Sequence, residues 1–169
     1  MNTDKETHNH SPFEKNIMDT VEENENIVKV LNSLVQINND RIEGYGHAAD
    51  QSEDNDLKIL FNKMILKSQS LKTPLINEVL KYGGEPTEST TTLGKVFRVW
   101  MDFKATLTGK DRKAILQSCE YGEGAAQDTY SDAIKEGKHL PAYITQMIID
   151  QKSSLLEDLN HVRVLRETE

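Results

Sequence analysis

Four stretches of this chain repeat apolar residues every third or fourth position over distances far longer than a strand, which restricts it to packed helices. The first stripe runs through Val28, Leu31, Val35, Ile42, Tyr45 and Ala49, the spacing of one face at 3.6 residues per turn. It predicts a helix from Val21 to about Gln51, roughly 45 Å long at 1.5 Å per residue. Ser52 to Asp56 then offers caps and acidic first-turn residues. The second stripe passes Leu57, Leu60, Phe61, Met64, Leu71, Leu75 and Val79 until Gly83-Gly84 stops it, with Pro74 as a point for a kink. A third helix is expected from the capping box Thr108-Gly109-Lys110-Asp111 to Glu136, with Gly137 as its stop. Pro141 opens a fourth, lined by Ile144, Ile148, Leu155, Val162 and Leu165.

Ahead of the first stripe lies a polar tail. Ser11-Pro12-Phe13-Glu14 carries a cap residue, a proline at the first helical position and a glutamate three after the cap, so a short helix is expected there. Thr20-Val21-Glu22-Glu23 repeats the cap pattern and is read as the start of the first long helix. The resulting organisation is a tail with a short helix over 1–19 and a bundle domain over 20–169. A chain of 169 residues suffices for one core.

The connections are unequal. The first and last helix pairs are joined tightly, whereas the middle pair is separated by everything from Gly84 to Gly109: a Ser/Thr-rich loop, then a short amphipathic helix with Val96, Val99, Trp100, Phe103 and Leu107. Such a run can carry the chain back to the starting end, which is the ferritin-like arrangement with one long crossover. In the alternative, a plain up-down bundle, the short helix caps one end. The fold expected is therefore all-α, a ferritin-like four-helix bundle with a short extra helix between the second and third long helices. The apolar face of the Trp100 helix needs covering, by the bundle or by a second copy in a homodimer.

A formal net charge of −8 repels nucleic acid and anionic membranes. The single cysteine, Cys119, excludes an intramolecular disulfide and any multi-cysteine metal site. No stretch approaches the roughly 20 apolar residues of a membrane span, and the N-terminus lacks the apolar segment of a secretory signal. A cytoplasmic protein is expected.

Chemistry, if present, lies in carboxylates on the inner stripes. Glu120 and Glu123 share a face of the third helix with Leu116, Gln127 and Tyr130, and a carboxylate among apolar neighbours is costly unless paired or bound to metal. Gly122 and Gly124 beside them suggest close packing of another helix or of the Tyr45 and Tyr130 rings. The first helix adds Glu43 with His47; the fourth adds Gln151 and the pair Asp158 and His161; the second offers only Gln69 and Glu78. A ferritin-like two-metal site takes a single glutamate from each of two helices and Glu-x-x-His from the other two, which this chain does not supply. The one literal match, Glu136 to His139, is interrupted by Gly137 and reads as a turn. Two readings follow. In one, Glu43, Glu120, Glu123, Asp158 and His161 hold iron or manganese. In the other, Glu43, Glu120, Glu123, Gln151 and His161 form a buried network with Arg41, Arg163 or Arg166. Cys119 reads as inert core, and His8 and His10 as part of the tail.

The run Asn39-Asp40-Arg41-Ile42-Glu43-Gly44-Tyr45 followed by Ala48-Ala49 resembles the first-helix signature of the PA2169 family, bacterial ferritin-like proteins carrying the DUF2383 domain. Gly83-Gly84-Glu85-Pro86, Trp100 with Lys104, Cys119-Glu120, Gly122-Glu123, Tyr130, Leu140-Pro141, Gln151, His161 and Arg163 extend the likeness over roughly Asn26 to Arg166. The resemblance implies a ferritin-like bundle without the paired Glu-x-x-His motifs of true ferritins. It implies no particular activity; a binding or stress-associated structural module is the expectation, with a carboxylate metalloprotein as the alternative.

Overall fold

The computed structural model describes residues 11–91, 99, 102, 105 and 111–169. Among them are four long helices: α1 (Pro12–Gln51), α2 (Asn55–Lys81), α3 (Arg112–Glu136) and α4 (Ala142–Glu167). The Trp100 segment, Thr108, His8 and His10 lie outside the described residues.

The expected break at Thr20 does not occur: α1 is one helix of 40 residues. The Ser11 box does form, with Ser11 Oγ accepting from the Glu14 amide and Glu14 Oε2 accepting from the Ser11 amide. Thr20 instead donates its hydroxyl to the Asn16 carbonyl, 2.9 Å away, so it satisfies the helix it sits in rather than starting another. The 1–19 and 20–169 division thus falls inside a continuous helix.

Ser52 to Asp54 form the tight turn into α2, where Asp54 caps by accepting from the amides of Asp56 and Leu57. α2 runs through Pro74 and ends at a left-handed Gly83 (φ 78°). There Gly84 donates to Val79 O and Gly83 to Leu80 O, closing the helix's open carbonyls. Gly84 also lets Val28 of α1 approach; a Cβ would collide with its methyls. Asp111 caps α3, and α3 ends at Gly137 as the sequence predicts.

Ion pairs and hydrogen bonds settle the topology. Arg112, at the start of α3, pairs with Asp54 at the start of α2 and with Glu169 after α4. α2 and α3 therefore begin at the same end and run parallel, so the chain between them traverses the bundle. Its first part lies along α1 from Glu85 to Thr91, beginning with Asn32 bonded to Glu85 and Thr87, passing Gln36 and Asn39, and reaching Asp40 bonded to Thr91. The crossover arrangement is the one formed. α1 packs chiefly along α2, α3 along α4, and α1 also against α3.

The interior is divided into two apolar halves. One gathers Leu31, Leu34, Leu75, Val79, Ala126, Ile144, Ile148 and Leu155; the other gathers Tyr45, Phe61, Met64, Leu116, Cys119 and Val162. Polar side chains are stacked between them.

Candidate functional site: a charged layer in the bundle core

Every helix contributes to the layer: α1 gives Arg41 and Tyr45, α2 gives Lys67 and Ser68, α3 gives Glu123 and α4 gives Asp158. Arg41 from α1 is fully buried and lies among Glu123 of α3, Asp158 of α4 and Ser68 of α2. Its Nε donates to Glu123 Oε1 at 3.1 Å and its Nη2 to Glu123 Oε2 at 3.1 Å, the two-pronged geometry a guanidinium offers a carboxylate. Nη2 also reaches Asp158 Oδ2 at 3.3 Å, and Nη1 donates to Ser68 Oγ at 2.6 Å. Tyr45 donates its hydroxyl to Glu123 Oε1 at 2.6 Å. Lys67 reaches in from the α2–α4 seam to Asp158 Oδ1 at 2.7 Å. Two cations thus meet two carboxylates, and the layer is neutral from its own side chains.

Electrostatics follow from burial. Burial alone would lower the Arg41 pKa, but Glu123, Tyr45 and Asp158 outweigh it and hold the guanidinium above its ordinary value. Burial, helped by Glu123, pushes the Tyr45 phenol and the Cys119 thiol well up. Both stay protonated at neutral pH.

Toward the Gly83 end, a second thread crosses all four helices. Asn38 Nδ2 donates to Tyr130 Oη (2.9 Å), Tyr130 donates to Gln151 Oε1 (2.8 Å), and Gln151 Nε2 donates to the Leu71 carbonyl (3.0 Å). Burial raises Tyr130 to about 12, so its hydroxyl remains a donor.

The five expected metal ligands do not converge. Glu123 and Asp158 are in the layer; Glu43 is exposed and 3.9 Å from His47 on the outside of α1; His161 is exposed. Glu120 turns to α4, where Arg163 Nε lies 2.8 Å and Arg166 Nη1 2.6 Å from its carboxylate. Of the α2 candidates, Gln69 is exposed, and Glu78 accepts from Tyr143 at 2.7 Å near the end of α2. The network reading is realised in pieces: Glu123 with Arg41, Glu120 with Arg163 and Arg166, and Gln151 in the thread, while Glu43 and His161 stay outside. The expected packing role fails at Gly124, where a Cβ would meet nothing. Lys67 and Ser68 were not anticipated. Arg41 was named only as a partner, although its register signals its burial: seven residues from both Leu34 and Ala48, it falls on their stripe.

A layer fed by all four helices is where ferritin-like folds build two-metal centres. The donor set does not fit one. Both buried carboxylates already accept from cations, and the described residues contain no group of three or more His, Cys, Asp or Glu able to hold an ion.

Fold and layer together define an all-α ferritin-like four-helix bundle whose mid-level charges are neutralised from within. A solved relative in shape is the crystal structure of ferritin-like, diiron-carboxylate proteins from Bacillus anthracis str. Ames, with a TM-score of 0.61 and 16% identity over 86% of this chain and 96% of that one. At that identity the likeness is one of fold. No curated protein matches the chain. The chain belongs to the family described as Domain of unknown function (DUF2383), which it matches over residues 26–136.

Proposed function

We propose that this protein is a cytoplasmic binding or stress-associated structural module, a ferritin-like scaffold whose core is closed by its own guanidinium and whose work is done at its surface. One observation carries the reading: Arg41 holds both buried carboxylates at 3.1 to 3.3 Å. A cation so placed repels a metal ion, and Lys67 adds to the repulsion. Opening the layer to metal would require expelling a guanidinium that is 0% exposed.

A second reading, iron or manganese held by core carboxylates, is favoured by the diiron-carboxylate description of the structural neighbour. Its ligands would reduce to Glu123 and Asp158 after displacement of Arg41. Elemental analysis decides between the two, after anaerobic loading with iron(II) or manganese(II) and desalting, with Glu123→Ala in parallel. The expected result is no stoichiometric metal in the native chain. Metal retained by the native chain and lost in the variant would overturn the closed-core reading.

A further inference from the structure

Two polar groups between the charged layer and the thread are left unspent. Asn38 is fully buried, and both hydrogens of its Nδ2 are used, one on the Leu34 carbonyl at 2.8 Å and one on Tyr130 Oη at 2.9 Å. The Leu34 bond fixes the amide, because turning it over would set oxygen against oxygen. Asn38 Oδ1 is therefore an acceptor, and among the described residues nothing donates to it. Ser68 is the converse case. It is also fully buried, its Oγ accepts from Arg41 Nη1 at 2.6 Å, and its own proton has no acceptor among the described residues. A buried acceptor without a donor, like a buried donor without an acceptor, bears the full cost of its lost hydration.

We propose that these two groups bind one internal water, which donates to Asn38 Oδ1 and accepts from Ser68 Oγ. Their placement fits such a bridge. The thread ties Asn38 to the level of Leu71 through Tyr130 and Gln151, and the layer ties Ser68 to Arg41. Asn38 lies three residues from Arg41 on α1, and Ser68 three from Leu71 on the facing α2, so the two groups differ in level by about 4.5 Å. A water with two bonds of about 2.8 Å at its near-tetrahedral angle holds its partners about 4.5 Å apart. Two protein partners are the fewest that a buried water takes. The chemistry selects water over a cation, because Ser68 Oγ already accepts from a guanidinium whose charge repels a second positive group. The bridge joins Lys67, Asp158 and Arg41 to Tyr130 and Gln151, so the charged layer and the thread become one hydrogen-bonded network between the two apolar halves. The site goes beyond the closed-core reading and does not rest on it: a dry gap leaves every contact of Arg41 in place.

A crystal structure of the native full chain, at a resolution that shows ordered water, reads the site directly. The expected result is one water within hydrogen-bond distance of both Asn38 Oδ1 and Ser68 Oγ. Direct contact between the two side chains overturns the proposal, and so does a gap that holds no water. Oxygen-17 relaxation dispersion, which counts long-lived internal waters in solution, supplies a second measurement. Asn38→Leu keeps the side-chain volume while removing the acceptor, and Tyr130 retains Gln151 as its partner. With helical circular dichroism unchanged, this variant should hold one long-lived water fewer than the native chain. An equal count in the two chains overturns the bridge.

Discussion

Glu120 and Glu123 sit three residues apart on α3, and both pair with arginine, yet their surroundings are opposite. Glu123 is fully buried and bonded to Arg41 and Tyr45 of α1. Glu120, about one turn nearer the Arg112 end, is part-exposed, and its partners Arg163 and Arg166 are 47% and 30% exposed. In the core the charge has nowhere else to go: desolvation costs several kcal/mol per ion and is offset only while every partner remains in place. At the rim, water competes with the arginines, and the pair contributes little. The same carboxylate chemistry is therefore a structural necessity at one position and an option at the other.

Removing the central cation tests the first half of that contrast and has the largest expected effect. Arg41→Ala should lose about 3–5 kcal/mol of unfolding free energy in urea titrations, because it strands Glu123 and part of Asp158 in the core. Arg41→Lys should recover only part of this, since one ammonium cannot reproduce the two-pronged contact while also reaching Ser68 and Asp158. If the cost is that of a stranded charge, deleting the charge should relieve it: Arg41→Met with Glu123→Leu should be more stable than Arg41→Ala alone. A double variant no better than the single one would show that the loss comes from packing and not from electrostatics.

The fold was largely legible because its signals are repeated. Four apolar stripes with the Gly83-Gly84 and Gly137 stops point to a bundle, the long Gly84 to Gly109 connection favours a crossover over the up-down alternative, and the ion pairs of Arg112 with Asp54 and Glu169 decide for the crossover. Local cap signals were less decisive. Ser11 and Thr20 carry similar motifs, but a threonine whose hydroxyl can bond the carbonyl four residues back does not end a helix. The site was half legible. Residues three apart on a helix lie about 60° apart around its axis, so Glu120 and Glu123 share a face in any pattern reading; which one is buried depends on what stands opposite. The deciding residue is Arg41, whose apolar register marks it as core. Charged residues are rarely fully buried unless paired, so the sequence marks Arg41 as a partner for carboxylates and only the structure makes it their centre.

The buried layer should also betray itself in alkali. Burial holds the Cys119 thiol and the Tyr45 phenol well above their ordinary values of 9.0 and 10.0, and Tyr130 near about 12. The unfolded chain releases these protons at ordinary values while the folded chain keeps them, so above roughly pH 9 the unfolded state binds fewer protons and stability falls with rising pH. Their contribution is fully present below the unfolded values and is lost on approach to the folded ones. Urea midpoints should therefore decline between about pH 9 and 11, and Cys119→Ala should flatten the first part of that decline. An unchanged slope in the variant would mean that the thiol is reached by water in the folded state.

The rim pair gives the smallest effect, and its value is as a control on the comparison. Glu120→Ala removes the acceptor shared by Arg163 and Arg166, yet both arginines can turn to water, and Arg166 also has Glu167 within 3.8 Å. The expected loss is under about 1 kcal/mol, shrinking further in 1 M salt as exposed charges are screened. Glu123→Ala in the same salt should keep most of its larger penalty, because ions do not reach a buried partner. A Glu120→Ala loss as large as that of Glu123→Ala, or one indifferent to salt, would mean that the arginine pair at the Arg112 end is closed to solvent in solution, and burial would no longer distinguish the two glutamates.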